Sequence, residues 1–267
     1  MERHGAWWEG GQSLRGRSVL VTGASAGIGR ACVRRFARAG CAVAFCARRR
    51  ERLEELLQEL EGHPGPFHAF ALDVRDREAV FSTLAGLPGP FRVPDILVNN
   101  AGLSRGLEPV HEGSVDDWEE MIDTNLKGLL YVTRALTPGM VERGSGHLIQ
   151  IGSIAGREAY AGGNVYNASK HAVLGLTRAM RLDLVPHGLR VSTVDPGLVD
   201  TEFSTVRFHG DRERADATYH GMTPLTAADV AETVFLVAAA PAHVNLAEVL
   251  VLPADQASCT VVRRHGS

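Results

Sequence analysis

The chain of 267 residues is 45% hydrophobic and 22% charged, with a formal net charge of −3, an ordinary globular composition. That balance gives no reason to expect a nucleic-acid or membrane partner, and no apolar stretch is long enough to span a bilayer. The basic residues are almost all arginine; Lys127 and Lys170 are the only lysines. A lysine inside a candidate site is therefore less readily read as surface filler. Cys32, Cys41, Cys46 and Cys259 show no C-x-x-C spacing. They read as reduced thiols of an intracellular, cytoplasmic protein, with no metal site implied. Residues 1–16 carry Trp7 and Trp8 but no apolar run of signal-peptide length, so they read as an N-terminal extension.

Residues 18–21 are a short apolar run that predicts a buried strand. It runs into a turn holding Gly23, Ser25, Gly27, Ile28 and Gly29, and a helix follows as far as Gly40. Strand, glycine turn and helix suit a dinucleotide pyrophosphate. Glycine lets the backbone approach the phosphates, and the free N–H groups of the helix start face the anion. The spacing here is G-x-x-x-G-x-G; the alternative is a glycine-rich turn with no ligand.

Residues 41–46 predict a second strand. Ala47 stands where an NAD site usually offers an acid to the adenosine ribose, and Arg48, Arg49 and Arg50 follow. Arginine pairs with a 2′-phosphate, which points to NADP(H), with Arg48 first in line and Ser25 a lesser candidate. The alternative is that the three arginines merely open the helix at 51–61. A third strand at 67–72 ends in Asp73 and Val74. Asp73 is placed either to meet the adenine amino group or to cap the helix at 76–85. A fourth strand at 95–98 closes in Asn99, Asn100, Ala101 and Gly102, whose small pair admits close approach of a cofactor.

One long helix is expected over 114–140, with the polar Asn125 inside it needing a partner. A fifth strand at 147–151 ends at Ser153. The next helix, to about Leu184, carries Tyr166 and Lys170 four apart on one face. A nearby ammonium favours the phenolate, and a tyrosine moved towards neutral pH exchanges a proton with a substrate oxygen. A sixth strand at 189–194 leads to Pro196 and Gly197. Residues 198–225 read as a polar, irregular loop of the kind that forms a substrate lid. A helix at 227–239 and a strand at 246–252 complete the pattern. Seven strands alternating with six helices predict an α/β, doubly wound parallel sheet in a single domain, 17–253, followed by a tail, 254–267.

Taken together, the 22–29 turn, Asn99 to Gly102, Asn125, Ser153, Tyr166 to Lys170 and Pro196-Gly197 resemble the short-chain dehydrogenases/reductases in order and spacing. The resemblance covers about residues 15–255. It implies a Rossmann-type fold, a nicotinamide-dependent oxidoreductase and a homotetramer paired through the two long helices. It also implies that Tyr166 is the catalytic acid/base and that Ser153 hydrogen-bonds the substrate oxygen. By the same resemblance Lys170 binds the nicotinamide ribose and lowers the Tyr166 pKa, and Asn125 holds a water in the proton relay. Residues 139–143, 160–166, 196–204 and 241–245 further resemble the NADP-dependent 3-hydroxy acid dehydrogenase branch, which acts on serine, allo-threonine and related acids. A 3-oxoacyl-thioester or general carbonyl reductase is the alternative within the same site, and a non-catalytic nucleotide sensor is the alternative outside it. A small hydroxy acid needs a cation near Ser153 and Tyr166. Arg105, Arg157 and Arg207 all follow strand carboxyl ends, and Arg207, in the lid, is the first candidate.

Overall fold

The computed structural model describes residues 14–266; Trp7 and Trp8 lie outside them. Seven parallel strands form one sheet: β1 (Ser18–Thr22), β2 (Ala42–Ala47), β3 (Phe67–Ala71), β4 (Ile96–Asn99), β5 (Gly146–Ile151), β6 (Leu189–Pro196) and a last strand, Glu248–Val251. The order is β3-β2-β1-β4-β5-β6 and then the last strand. Parallel strands are covered on both faces, which is why they read as unbroken apolar runs. Alternate residues still divide between two cores. Val19, Val21, Val98 and Ile149 pack with helix α1 (Gly27–Arg38) and α2 (Arg50–Glu59). Leu20, Leu97 and Leu148 pack on the other face, beneath α3 (Arg77–Ala85) and the long helices that follow β4.

Strand order reverses between β1 and β4, so the connections leaving their carboxyl ends part and open a crevice. Side chains pin the two ends together. The Thr22 hydroxyl accepts from the backbone N–H of Asn100 and of Ala101, both at 3.0 Å. The Asn100 amide donates to Thr22 O at 2.9 Å and to Gly23 O at 3.1 Å. Asn99 instead reaches the Thr133 hydroxyl at 3.0 Å.

The expected helix over 114–140 is interrupted. α4 (Val115–Ile122) passes into a π turn, Asp123–Gly128, and then α5 (Leu129–Arg143). The wider turn directs the Asn125 amide inward. It donates to Leu103 O at 2.8 Å and to the Ser169 hydroxyl at 3.1 Å, and accepts from Leu103 N at 2.8 Å. Such bulges collect at functional sites. Helix α6 (Asn164–Leu184) is 21 residues long and carries Tyr166 and Lys170 in its first two turns.

Residues 198–225 are not irregular, as expected, but hold two short helices, α7 (Glu202–Arg207) and α8 (Arg212–Ala217). Thr201 and Asp211 cap them. Two-residue strands β7 (Val199–Asp200) and β8 (Leu225–Thr226) pair at the base of the segment. α9 (Ala227–Ala239) then opens with a capping box made by Thr226 and Asp229, and Glu248–Val251 becomes β9. No described helix is long and apolar enough to cross a membrane.

Gly29 tests the pin between β1 and β4. A Cβ there would collide with the Asn100 amide nitrogen and the Gly23 carbonyl. Overfilling a packed position costs about 1–3 kcal/mol. Gly29→Ala is expected to lower Tm by several degrees in a thermal melt, at roughly 2–4 °C per kcal/mol for a chain of this size. An unchanged Tm would mean that the turn relaxes freely.

Candidate active site

A cavity of about 780 Å³ opens at the carboxyl ends of the strands. Its wall takes Gly23, Ser25, Gly27 and Ile28 from the turn after β1, and Arg48 and Arg49 from the end of β2. Asp73 and Val74 follow β3, and Asn100, Ala101 and Gly102 follow β4. Ser153, Tyr166, Lys170, Pro196, Gly197, Arg105 and Arg207 also line it. Gly29 and Asn125 stand behind this wall. A Cβ on Gly102 would lie 3.2 Å from Asn125 Oδ1 and 3.7 Å from Lys170 Nζ, so those two polar atoms flank it.

The turn suits an anion. α1 has no side-chain cap and no acid in its first turn, so its first N–H groups keep no side-chain partner. Arg49, rather than Arg48, meets the turn: its guanidinium donates to Ser25 Oγ at 3.2 and 3.0 Å and reaches Glu202 at 3.0 Å. Arg48 is half exposed and held by Glu120 at 3.4 Å. β2 ends at Ala47, and each further residue of an extended chain faces the opposite way. Asp73 does not cap α3; Asp76 does, accepting from Ala79 N at 2.9 Å. Asp73 is instead held by Arg75, Nη2 to Oδ2 at 2.6 Å, which keeps its carboxyl below the ordinary range despite burial. The buried Thr124 hydroxyl also lines the cavity and has no hydrogen-bond partner among the described residues.

At the other end, Tyr166 and Lys170 share a face, with Lys170 Nζ 5.9 Å from the phenol ring centre. The ammonium does not dominate the phenol. Burial pushes the Tyr166 pKa up to about 12, aided by Tyr160 and opposed by Arg207 and Ser153. In the protein's own groups burial outweighs the pull of Lys170 on the phenol, because removing phenol and amine from water disfavours both charged forms. Burial likewise lowers Lys170 to about 8, against the pull of Asp195. Lys170 Nζ donates to Ile151 O at 2.9 Å. The Ser153 hydroxyl accepts from Ala155 N at 3.1 Å.

The three candidate arginines differ. Arg157 does not line the cavity; it is bound to the buried Asp195 at 2.6 Å. Arg105 lines it but is paired with Glu120 at 2.8 Å and with Val206 O at 2.6 Å. Arg207 donates to Ser104 Oγ at 2.9 Å and Tyr160 Oη at 2.7 Å. Its guanidinium stands 5.2 Å from the Tyr166 ring centre. Among the described residues no carboxylate lies within ion-pair distance of it. Sequence reasoning missed Tyr160 and Ser104 as partners of Arg207, and Arg49 as the partner of Ser25. Arg49 was visible as a member of the arginine run, whereas Ser104 carried no signal.

A sequence profile of the family described as short chain dehydrogenase matches residues 17–211. The chain belongs to this family. It is 52% identical over 239 residues to the NADP-dependent 3-hydroxy acid dehydrogenase YdfG of Salmonella typhi, covering 89% of this chain and 95% of that one. It is 47% identical to sulfoacetaldehyde reductase 2 of Chromohalobacter salexigens over 240 residues, 90% of this chain and 95% of the other. Among solved structures, the closed form of serine dehydrogenase complexed with NADP+ superposes with a TM-score of 0.88 at 49% identity, covering 94% of this chain and all of the other. The sheet order seen here is that of a short-chain dehydrogenase, and the Ser153, Tyr166 and Lys170 side chains converge in its cavity.

The phenol offers a direct test. In the cofactor-free protein, subtracting the titration of Tyr166→Phe from that of the wild type should leave no phenolate absorbance below about pH 10, the ordinary tyrosine value. Arg207→Ala should move the difference signal further up, since a cation favouring the phenolate is gone. A Tyr166 signal near neutral pH would overturn the account by burial.

Proposed function

We propose that the protein is an NADP(H)-dependent oxidoreductase that interconverts a small 3-hydroxy acid and its oxo acid. The observation that carries the substrate class is Arg207, a guanidinium beside Tyr166 with no carboxylate partner among the described residues. Arginine's planar fork suits a carboxylate, and Arg105 and Arg157 are already committed to acids of the chain. The names of the relatives, with their hydroxy-acid, serine and sulfoacetaldehyde substrates, support an anionic small molecule.

The residues fit the cofactor. The uncapped start of α1 and the glycine turn suit the pyrophosphate, and Arg48, Arg49 and Ser25 suit the 2′-phosphate. Asp73 and Val74 flank the adenine region. Asn100, Ala101, Gly102, Pro196 and Gly197 let the backbone come close, and the unpartnered Thr124 hydroxyl is a further group for the cofactor to satisfy. When bound, the nicotinamide supplies the hydride chemistry and, oxidised, a positive ring.

The chain's own groups handle the proton. Ser153 orients the substrate oxygen, and Tyr166 exchanges the proton with it. Lys170 holds the ribose and contributes positive charge. Asn125, fixed by the π turn, keeps the backbone of Leu103 in place and takes the relay role its position implies. Reduction uses the phenol as an acid, so it persists until Tyr166 ionises. Oxidation needs the phenolate, so its rate rises with pH. The 198–225 segment acts as a lid carrying Arg207.

The assembly is a homotetramer. Leu130 on α5 and Leu182 on α6 are exposed, and a Cβ on Gly175 of α6 would meet open space, which leaves room for a partner helix. The enzyme works in the cytoplasm, as its four unpaired thiols suggest.

Tyr166→Phe is expected to lower turnover by orders of magnitude while cofactor still binds. The deciding assay compares 3-hydroxypropionate or serine with its methyl ester. Free acids should react far better, and Arg207→Ala should erase the difference. If esters and neutral alcohols react equally well with the wild type, the site belongs to a general carbonyl reductase.

Cofactor preference tests the arginines separately. Losing a charge-assisted hydrogen bond costs roughly 1.5–3 kcal/mol, about ten- to a hundred-fold in binding. Arg49→Ala and Arg48→Ala should each raise KM for NADP+ by that order and barely change it for NAD+. Equal losses for both cofactors would make these side chains structural.

A further inference from the structure

Beyond β9 the chain turns back on itself instead of leaving the molecule. Gln256 and Val262 form an antiparallel bridge, and Ala257 N donates to Val261 O at 2.9 Å. The buried Asp255 carboxylate organises this hairpin. It accepts from Arg263 Nε at 2.8 Å and from Thr223 N at 3.1 Å, and His265 Nε2 lies 3.2 Å from it.

The hairpin grips three separate pieces of the cavity wall. Gln256 Oε1 accepts from Leu198 N at 2.8 Å, where the lid begins. At the far end of the lid, Arg264 donates to the carbonyls of His220 and Thr218, and His265 N donates to Gly221 O at 2.5 Å. Gly221 has φ +71° and no side chain to hold the strand off; a Cβ would come 2.9 Å from His265 O. Third, Cys259 N donates to Glu158 Oε2 at 2.9 Å, in the turn that follows Ser153. From this anchored position Cys259, Thr260, Val262 and Arg264 reach the cavity. Cys259 lines the same cavity as Tyr160 and Tyr166.

We propose that the hairpin from Gln256 to His265 is the specificity-determining wall of the substrate end, and that it limits the length of the substrate's carbon chain. The proposal deepens the hydroxy-acid reading and rests on it. Both ends of the lid are tied to the hairpin, and α7 between them is bound to the opposite wall through Arg105, Ser104 and Tyr160. A carboxylate held by Arg207 and an oxygen held between Ser153 and Tyr166 fix two points of the molecule. Any further carbons then meet the rigid hairpin, where Val262 and Cys259 present apolar atoms.

The test is a series of straight-chain 3-hydroxy acids from propionate to octanoate, assayed by kcat/KM with NADP+. The wild type should decline steeply with length. Val262→Ala and Cys259→Ala should each raise the ratio of long to short acid by about tenfold, the usual effect of one methylene-sized space in a pocket. Val262→Thr, similar in volume, should keep the wild-type ratio. Folded variants with unchanged ratios would overturn the wall. Arg264→Ala tests the tether: amide hydrogen exchange over 216–223 should accelerate at least tenfold, and unchanged exchange there would overturn the lid attachment. A wild type that ignores the carboxylate sinks the hydroxy-acid reading instead, and the same variants on a series of primary alcohols then read the length limit alone.

Discussion

The join between β1 and β4 is the constraint on which the rest of the molecule hangs. A doubly wound sheet must split its connections at one place, and polar side chains decide how wide the split becomes. Four hydrogen bonds cross it, all between 2.9 and 3.1 Å, two between Thr22 and Asn100, one from Asn100 to Gly23 and one from Ala101 to Thr22. Every one lies at a strand's carboxyl end, where the sheet's own ladder has run out of partners. The backbone groups that would otherwise stay unpaired in the crevice are satisfied by side chains, so Gly23 and Ala101 can pack directly against each other. That contact sets the floor on which Gly102, Asn125 and Lys170 are assembled.

A dry floor then dictates the electrostatics. Tyr166 and Lys170 are each only 7% exposed, and both resist ionisation more than their isolated values suggest. Charge is brought to them from a distance. Asp195, itself buried and raised by burial, is compensated by Arg157 and Thr193 and pulls on Lys170 from β6. Gly152 lacks a side chain because a Cβ there would run into the Asp195 carboxylate. Arg207 plays the complementary part from the opposite side of Tyr166, on the end of α7 that Ser104, Tyr160 and Arg105 hold. The site is thus tuned by one fixed ion pair beneath it and one cation above it.

Much of this was legible in the chain itself. Fully buried parallel strands announce themselves as apolar runs, and the glycine turn is marked by backbone need at Gly23, Gly27 and Gly29. What escaped has physical reasons. The π turn at Asn125 changes hydrogen bonding without changing composition. α7 and α8 are six residues each, too short for a helical period to emerge. The place of Arg49 beside Ser25 depends on where β2 stops, and a shift of one residue reverses a side chain. Arg105 and Arg157 stood behind Arg207 as candidates, and the acids that bind them, Glu120 and Asp195, lie too far off in sequence to be paired with them by spacing. The tyrosine's pKa could not be read from a neighbour four residues away, because burial outweighs that neighbour. The hairpin after β9 has no periodicity at all and is held by contacts to distant loops.

Having two lysines gives the protein two amines of opposite character. Lys127 is exposed, and its pairing with Asp123 at 2.7 Å keeps it protonated. Lys170 is enclosed, yet its pKa of about 8 leaves part of it uncharged near neutrality. A bulky amine-directed reagent therefore marks Lys127 and spares the cavity. A small aldehyde small enough to enter meets the better nucleophile of the two. An enzyme that handles carbonyl compounds so close to a neutralisable amine must guard against imine formation. The bond from Lys170 Nζ to the Ile151 carbonyl at 2.9 Å, open to the amine in either charge state, limits its reach by anchoring the nitrogen.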